Sequence, residues 1–271
     1  MEVFALIDIH CHILPSVDDG AADMEKALAM AQMAAAHGTT ALVATPHVVE
    51  GGWLPAWEDI LDLTASLNAA LAAQGATAIP IYPGAEVAVN FDILDQIKGP
   101  GPYCINGGSY MLVELPALDI PCYADEFFFT LQARGITPIL SHPERHPLIA
   151  DDPAIVLEWV RRGLLIQINA PSLAGKMGER ALKTAEVLVK SRLVHFLGTD
   201  AHGLHARPPC LTAGAEKLTS LVGRDAARQI LVANPGRVIQ NLPVEAPEVE
   251  KIAEPDRPGM LRQWISKFCA R

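Results

Sequence analysis

Val3-Phe4-Ala5-Leu6-Ile7-Asp8 runs straight into Ile9-His10-Cys11-His12, an apolar stretch that ends in a carboxylate and two imidazoles. Its composition predicts a short buried strand over 3–8. Met24, Leu28, Met30, Met33 and Ala34 then recur at helical spacing, which predicts a helix over 23–37 stopped by Gly38. Residues 40–45 form the next apolar run. A strand, a helix and a second strand thus open the chain, and the charged groups fall at the strand ends.

The alternation continues outward from there. Further strands are expected over 78–83, 110–115, 136–141, 164–169 and 193–199. Helices are expected over 56–74, 124–134, 154–162 and 179–191, and Gly75, Gly135 and Gly163 follow three of them. Two more helical segments, 211–221 and 225–232, are broken by Asn234-Pro235-Gly236. Seven short apolar strands alternating with helices indicate an α/β fold with a parallel sheet. The count fits one closed barrel over residues 1–241, and a doubly wound open sheet is the competing topology. Residues 242–258 are rich in Pro, Glu and Val and read as a tail. Residues 260–268 could form a short amphipathic helix that docks on the barrel or on a second subunit, or simply frays.

Composition narrows the function classes. Of 271 residues half are hydrophobic, so disorder is excluded for most of the chain. Twenty-one Lys and Arg against 31 Asp and Glu leave a formal charge of −10, which argues against a broad nucleic-acid groove. That sum misleads where carboxylates are metal ligands, because their charge is neutralised in the site. The five cysteines, Cys11, Cys104, Cys122, Cys210 and Cys269, form no C-x-x-C pair, as expected in a reducing compartment. The amino-terminus carries no basic signal-like region, and no apolar run approaches the roughly 18 residues of a membrane span. A soluble, cytoplasmic protein is expected.

The polar residues cluster at strand ends. Asp8, His10 and His12 follow the first strand, His47 the second and Glu86 the third. Glu114 ends the fourth, His142-Pro143-Glu144-Arg145-His146 follows the fifth, and Asp200-Ala201-His202 follows the seventh. In a parallel barrel the strand C-termini converge on one rim, where active sites are built. His10 and His12 at i and i+2 face one way on an extended segment, a chelating geometry, and Cys11 then points away. Asp200 and His202 repeat that spacing. This mixed nitrogen and oxygen set suits Mn²⁺, Zn²⁺ or Fe²⁺ better than a thiolate zinc site. Eight or nine ligands exceed one ion's needs, so a cluster of two or three ions is expected, with a bridging carboxylate and hydrolytic chemistry. Arg145 and Arg207 offer fork geometry for phosphate oxygens, or serve as surface ion-pair residues.

Asp8-Ile9-His10-Cys11-His12, Val17-Asp18-Asp19-Gly20, Thr45-Pro46-His47, Gly84-Ala85-Glu86, Glu114-Leu115, Ser141-His142-Pro143-Glu144-Arg145 and Thr199-Asp200-Ala201-His202 together resemble the polymerase-and-histidinol-phosphatase (PHP) superfamily. Within it, the pattern is similar to the bacterial protein-tyrosine phosphatases of capsular and exopolysaccharide gene clusters. The resemblance covers about residues 3–241. It implies a distorted seven-stranded (β/α) TIM-like barrel with three divalent ions, often manganese, with iron, zinc or magnesium as alternatives. It implies His10, His12, Glu86 and Asp200 around one ion, Glu86, Glu114 and His142 around the second, and Asp18, His47 and His202 around the third. Arg145 and Arg207 match the arginines that hold phosphate. The implied partner is an autophosphorylating tyrosine kinase of polysaccharide export.

The sequence departs from the family in the loop after His47. Val48-Val49-Glu50-Gly51-Gly52-Trp53-Leu54-Pro55-Ala56-Trp57 lacks the basic residues usual there. Its tryptophans could stack on a phosphotyrosine ring or pack on the barrel, with packing favoured for at least one. His146 stands where relatives often have an aromatic residue. No Cys-x5-Arg phosphate loop is present, so Cys11 is not expected to be a nucleophile. The alternatives to a tyrosine phosphatase are a small-molecule phosphatase acting on histidinol phosphate, a phosphodiesterase, and a non-catalytic metal-binding barrel.

Overall fold

The computed structural model describes residues 4–75 and 79–244. Nine strands appear in chain order: β1 (Leu6–Cys11), β2 (Thr39–Ala44), β3 (His47–Val48), β4 (Ile81–Pro83), β5 (Glu86–Ala88), β6 (Tyr110–Glu114), β7 (Thr137–Ser141), β8 (Leu165–Asn169) and β9 (Phe196–Gly198). They form two parallel sheets, β1-β2-β4 and β3-β5-β6-β7-β8-β9. These are seven staves of one barrel. β3 continues β2 beyond Thr45-Pro46, where proline supplies no ladder N–H. β5 continues β4 beyond Gly84, whose absent Cβ would lie 2.9 Å from Val43 Cγ1. The barrel closes where Cys11 bridges Ala201: His12 N–H donates to Ala201 O and Asp200 N–H to His10 O, both at 2.9 Å. The competing open sheet is thereby excluded.

Helices α1 (Met24–Ala36), α2 (Trp57–Ala73), α3 (Ala124–Ala133), α4 (Pro147–Asp151), α5 (Ala154–Arg161), α6 (Ala170–Leu173), α7 (Glu179–Lys190), α8 (Thr212–Val222), α9 (Arg224–Arg228) and α10 (Asn234–Ile239) are the α-helices among the described residues. None is long and apolar enough to cross a membrane. Asp23 caps α1 by accepting from Lys26 N–H. The expected break at Asn234-Pro235-Gly236 is corrected: a π turn over Gln229–Ala233 leads directly into α10. Pro235 lies in that helix's first turn, where its missing N–H is tolerated. Val238 and Ile239 of α10 join the inner apolar cluster.

Strand alternation sorts the core into two layers. Leu42, Met111, Val113, Leu140, Ile166 and Ile168 meet the helices, whereas Val43, Tyr110, Leu112, Ile139, Leu165 and Phe196 fill the barrel. Going up β6 the inner column reads Tyr110, Leu112, Glu114, and up β8 it reads Leu165, Gln167, Asn169. Each stave therefore passes from an apolar floor to a polar rim. β1 breaks the alternation. Asp8 pairs with Leu42 and Cys11 with Ala44, so three steps on β1 match two on β2. This bulge lets Ile9 enter the inner cluster while His10 still reaches the site. Cys11 turns into the helix-facing core, and burial pushes its thiol well up, which removes it as a nucleophile.

The expected first strand begins later, at Leu6, and runs on to Cys11; the last is confined to Phe196–Gly198. Part of the expected tail is tied down: Tyr110 OH donates to Leu242 O at 2.9 Å and accepts from Val244 N–H at 3.1 Å. Residues 1–3, 76–78 and 245–271, including the expected helix over 260–268, lie outside the described residues.

His195, just before β9, is fully buried, and its Nδ1 accepts from Ile166 N–H at 3.1 Å. Burial pushes its pKa down to about 4. The unfolded chain takes up this proton near pH 6.5, so the contribution is whole above that pH and is lost as pH falls toward 4. Asparagine would keep an acceptor for Ile166 N–H without titrating. Chemical denaturation at pH 7 and pH 4 is expected to cost the natural protein about 3 kcal/mol more than His195→Asn. Equal losses would refute the assignment.

Candidate metal centre

At the barrel rim Glu86, fully buried, sits among four imidazoles. Its Oε2 lies 3.4 Å from His10 Nε2, 3.5 Å from His12 Nε2 and 3.2 Å from His47 Nδ1; its Oε1 lies 3.1 Å from His142 Nε2. Asp200 Oδ1 lies 3.7 and 3.6 Å from His10 and His12 Nε2. Glu114 stands 3.5 Å from His142 and 3.8 Å from His47. Metal–ligand bonds of about 2.1 Å place neighbouring donor atoms about 3–4 Å apart, so these separations suit ligands of shared ions.

The tautomers sharpen this test. Gln167 Nε2 donates to Ile168 O and to Asn169 Oδ1, which leaves its Oε1 to accept from His10 Nδ1–H at 2.8 Å. Asp18 Oδ2 accepts from His12 Nδ1–H at 2.8 Å. With Nδ1–H engaged in both, a neutral imidazole at either place turns its Nε2 lone pair inward, and the two nitrogens lie 3.2 Å apart, facing two carboxylates. Lone pairs and carboxylates so arranged repel unless a cation lies among them. Glu86 Oε2, His47 Nδ1 and His202 Nε2 are likewise buried without a hydrogen-bond partner. The donor set fits divalent metal.

The electrostatics agree. Burial alone would lower His12, but the hydrogen bonds and charges of Asp18 and Glu86 outweigh it and raise it to about 10. His142 rises to about 9 against its own burial through Glu86 and Asp200. The carboxylates thus demand positive charge. Burial together with the Glu86 charge pushes Glu114 up to about 7. His202 falls to about 3 through burial and the neighbouring charge of His12.

Four donor groups emerge among the described residues: His10, His12 and Asp200; His10, Glu86 and His142; His47, Glu86 and Glu114; and His12, Asp19, His47 and His202. The last requires a correction. Asp18, expected as a ligand with His47 and His202, has both oxygens engaged elsewhere. Its Oδ1 accepts from Gly20 N–H at 2.9 Å in an Asx-type turn, and its Oδ2 accepts from His47 N–H at 3.0 Å and from His12. Asp19 faces the group instead, with Oδ1 3.6 Å from His47 Nε2 and 3.3 Å from His202 Nε2. Asp18 orients His12. Gln167 and Asn169, also unforeseen, form the layer beneath: Gln167 holds His10, and Asn169 Nδ2 donates to Asp200 Oδ2 at 2.8 Å. Two polar residues in the inward column of an otherwise apolar strand were the available signal.

Arg145 and Arg207 converge on one atom, donating to Asp200 Oδ2 at 2.7 and 3.1 Å. Both are thus ion-paired with a buried carboxylate, as one of the two expectations has it, while remaining partly exposed at the rim. His142 and Asp200 both adopt left-handed backbone conformations, with φ of 33° and 52°, a strain of about 1–3 kcal/mol each. His146 lies outside the site: its Nε2 faces Pro116 O and Asp119 O at 3.1 and 3.2 Å, fastening the loop after β6. Trp57 packs edge-on against Tyr103, whereas Trp53 stacks on His47.

A seven-staved parallel barrel with four overlapping His and carboxylate groups on its C-terminal rim defines a metal-dependent hydrolase. The chain belongs to the CpsB/CapC family of capsular polysaccharide synthesis, whose model matches residues 6–240. It is 33% identical over 204 residues to the tyrosine-protein phosphatase YwqE of Bacillus subtilis, covering 74% of this chain and 79% of that one. It is 26% identical over 241 residues to the tyrosine-protein phosphatase CpsB of Streptococcus pneumoniae, covering 87% and 99%. A solved structure from work on YwqE and CpsB, described as unique metal-dependent tyrosine phosphatases, superposes with a TM-score of 0.83 at 29% identity, covering 92% of this chain and all of the other.

Proposed function

We propose that this protein is a metal-dependent phosphatase that hydrolyses phosphotyrosine in proteins and serves the control of capsular or exopolysaccharide synthesis. The observation that carries the reading is the meeting of Arg145 and Arg207 on Asp200, directly beside the carboxylates and imidazoles that would hold metal. A phosphoryl group there would meet two cationic forks beside the residues that would hold metal. Divalent ions supply Lewis acidity and an active nucleophile at neutral pH.

The chain's own residues divide the remaining work. His10, His12, Asp19, His47, Glu86, Glu114, His142, Asp200 and His202 would hold the ions. Asp18 and Gln167 fix the tautomers of His12 and His10. Arg145 and Arg207 neutralise the phosphoryl oxygens as charge develops. A tyrosine leaving group, with a pKa of about 10, departs with less protonation than an alcohol, so no dedicated acid is required.

Three ions, manganese first among them, complete the reading: the ligands are mixed nitrogen and oxygen, and Glu86 belongs to two of the donor groups that would hold them. So does a cytoplasmic location, supported by the unpaired Cys11, Cys104, Cys122 and Cys210. The phosphorylated partner is proposed to be an autophosphorylating kinase of polysaccharide export. We assign residues 1–241 to the catalytic barrel and 242–271 to a tail.

The test is a panel of phosphotyrosine peptide, phosphoserine peptide, histidinol phosphate and a nucleotide diester at matched manganese loading. The phosphotyrosine peptide is expected to lead in kcat/KM by about tenfold or more. Chelator should abolish turnover and manganese restore it. A lead for histidinol phosphate or the diester, or full activity without metal, overturns the reading.

A further inference from the structure

The loop after β3 carries an aromatic surface that the metal centre does not use. Val49 N–H donates to Trp53 O at 2.6 Å and Gly52 N–H to Val49 O at 2.9 Å, with Gly51 at φ 76°, so residues 49–53 close a tight turn. The far end of the loop is fastened separately: Tyr103 OH donates to Pro55 O at 3.2 Å, and Trp57 packs against the Tyr103 ring. Trp53 is held between these anchors. Its indole lies over the His47 imidazole, centroids 5.4 Å apart and planes 16° from parallel, yet 44% of the residue remains exposed. Its neighbour Leu54 is exposed as well. Glu50 is the loop's only charge from Val48 to Trp57, so what it offers a ligand is apolar and aromatic rather than ionic.

An exposed tryptophan set on a ring of the metal group has two explanations. It can shield His47, or it can present a face to whatever lies beside His47. The fixed turn favours the second, because a preorganised aromatic face binds another ring at little entropic cost. His47 shares Glu86 with His12, and His12 faces Asp200 and its two arginines, so Trp53 stands on the same rim as the proposed phosphate site.

The geometry points to Trp53 as the specificity-determining residue that receives the aromatic ring of an aryl phosphate. Trp57, which the same sequence pattern allowed for this role, is packed away and excluded. The inference rests on the aryl-phosphatase reading above and assigns its selectivity to one side chain.

The test compares phenyl phosphate with methyl phosphate on the manganese-loaded natural protein, Trp53→Ala and Trp53→Phe, with metal content measured for each. Calorimetry with phenylphosphonate and methylphosphonate reads binding independently of turnover. The ratio of kcat/KM values, phenyl over methyl, is expected to fall about tenfold in Trp53→Ala and to recover largely in Trp53→Phe, with the phosphonate affinity ratio following it. If the natural protein prefers phenyl substrates and Trp53→Ala keeps that preference, the inference fails while the functional reading stands. If Trp53→Ala loses metal and both substrates suffer equally, Trp53 is a buttress for His47 and the inference fails. If the natural protein shows no phenyl preference, the functional reading itself fails.

Discussion

Glu86→Gln is expected to lower kcat on a phosphotyrosine peptide by about 10³-fold or more and to strip metal from the protein. Glutamine has nearly the same shape, so the buried site keeps its packing and only charge is removed. That charge matters at four places at once, because Glu86 lies within 3.5 Å of His10, His12, His47 and His142. Burial opposes its ionisation, yet the surrounding histidines, His10 foremost, hold its pKa well below the usual carboxylate range. An amide at this position brings no negative charge to offset cations, and its NH₂ would donate to an imidazole lone pair that a cation would otherwise use. Elemental analysis of the purified variant, alongside turnover and thermal unfolding, checks the prediction. A variant that keeps both metal and activity removes Glu86 from the centre of the site.

Arg145→Ala and Arg207→Ala should each lower kcat/KM by about 10²-fold or more while metal content stays intact. Neither arginine offers a metal ligand, so the effect separates phosphate recognition from metal binding. Their guanidinium groups touch Asp200 Oδ2, while Oδ1 of the same carboxylate faces His10 and His12. Removing a neighbouring cation leaves Asp200 with more unbalanced negative charge, so each variant should hold manganese at least as tightly as the natural protein. Steady-state kinetics with metal titration reads both quantities. Loss of metal in parallel with activity would show that the arginines maintain the metal centre rather than grip the substrate.

Much of this architecture was legible because parallel barrels deliver the residues after each strand to one rim. Asp200 and His202 after the last strand, His142 after the fifth and Glu114 ending the fourth needed no tertiary information to be grouped. What local reading could not supply was the side each residue takes. Asp18 and Asp19 are chemically identical neighbours, and only the turn to Gly20 decides that Asp18 spends its oxygens on backbone N–H groups while Asp19 faces His202. The bulge between Asp8 and Cys11 is invisible in the alternation of Leu6-Ile7-Asp8-Ile9-His10, because it follows from pairing with β2. Pro235 looked like an end because proline usually ends helices, but a π turn realigns the chain and makes it a beginning. Gln167 and Asn169 fell within a predicted strand and passed for part of it, since their roles depend on His10 and Asp200, far away in sequence.

Under the proposed function, Asp200 links two binding equilibria. One oxygen is turned toward the His10 and His12 donors and the other toward Arg145 and Arg207, the pair proposed to hold phosphate, so on that proposal the carboxylate is shared between two classes of ligand. Phosphate that draws the arginines off Asp200 frees negative charge for the cations. By thermodynamic reciprocity, the cations then tighten phosphate by the same factor. Inorganic phosphate, the product of the proposed reaction, is therefore held most firmly when the centre is fully loaded, which ties the ease of product release to metal supply.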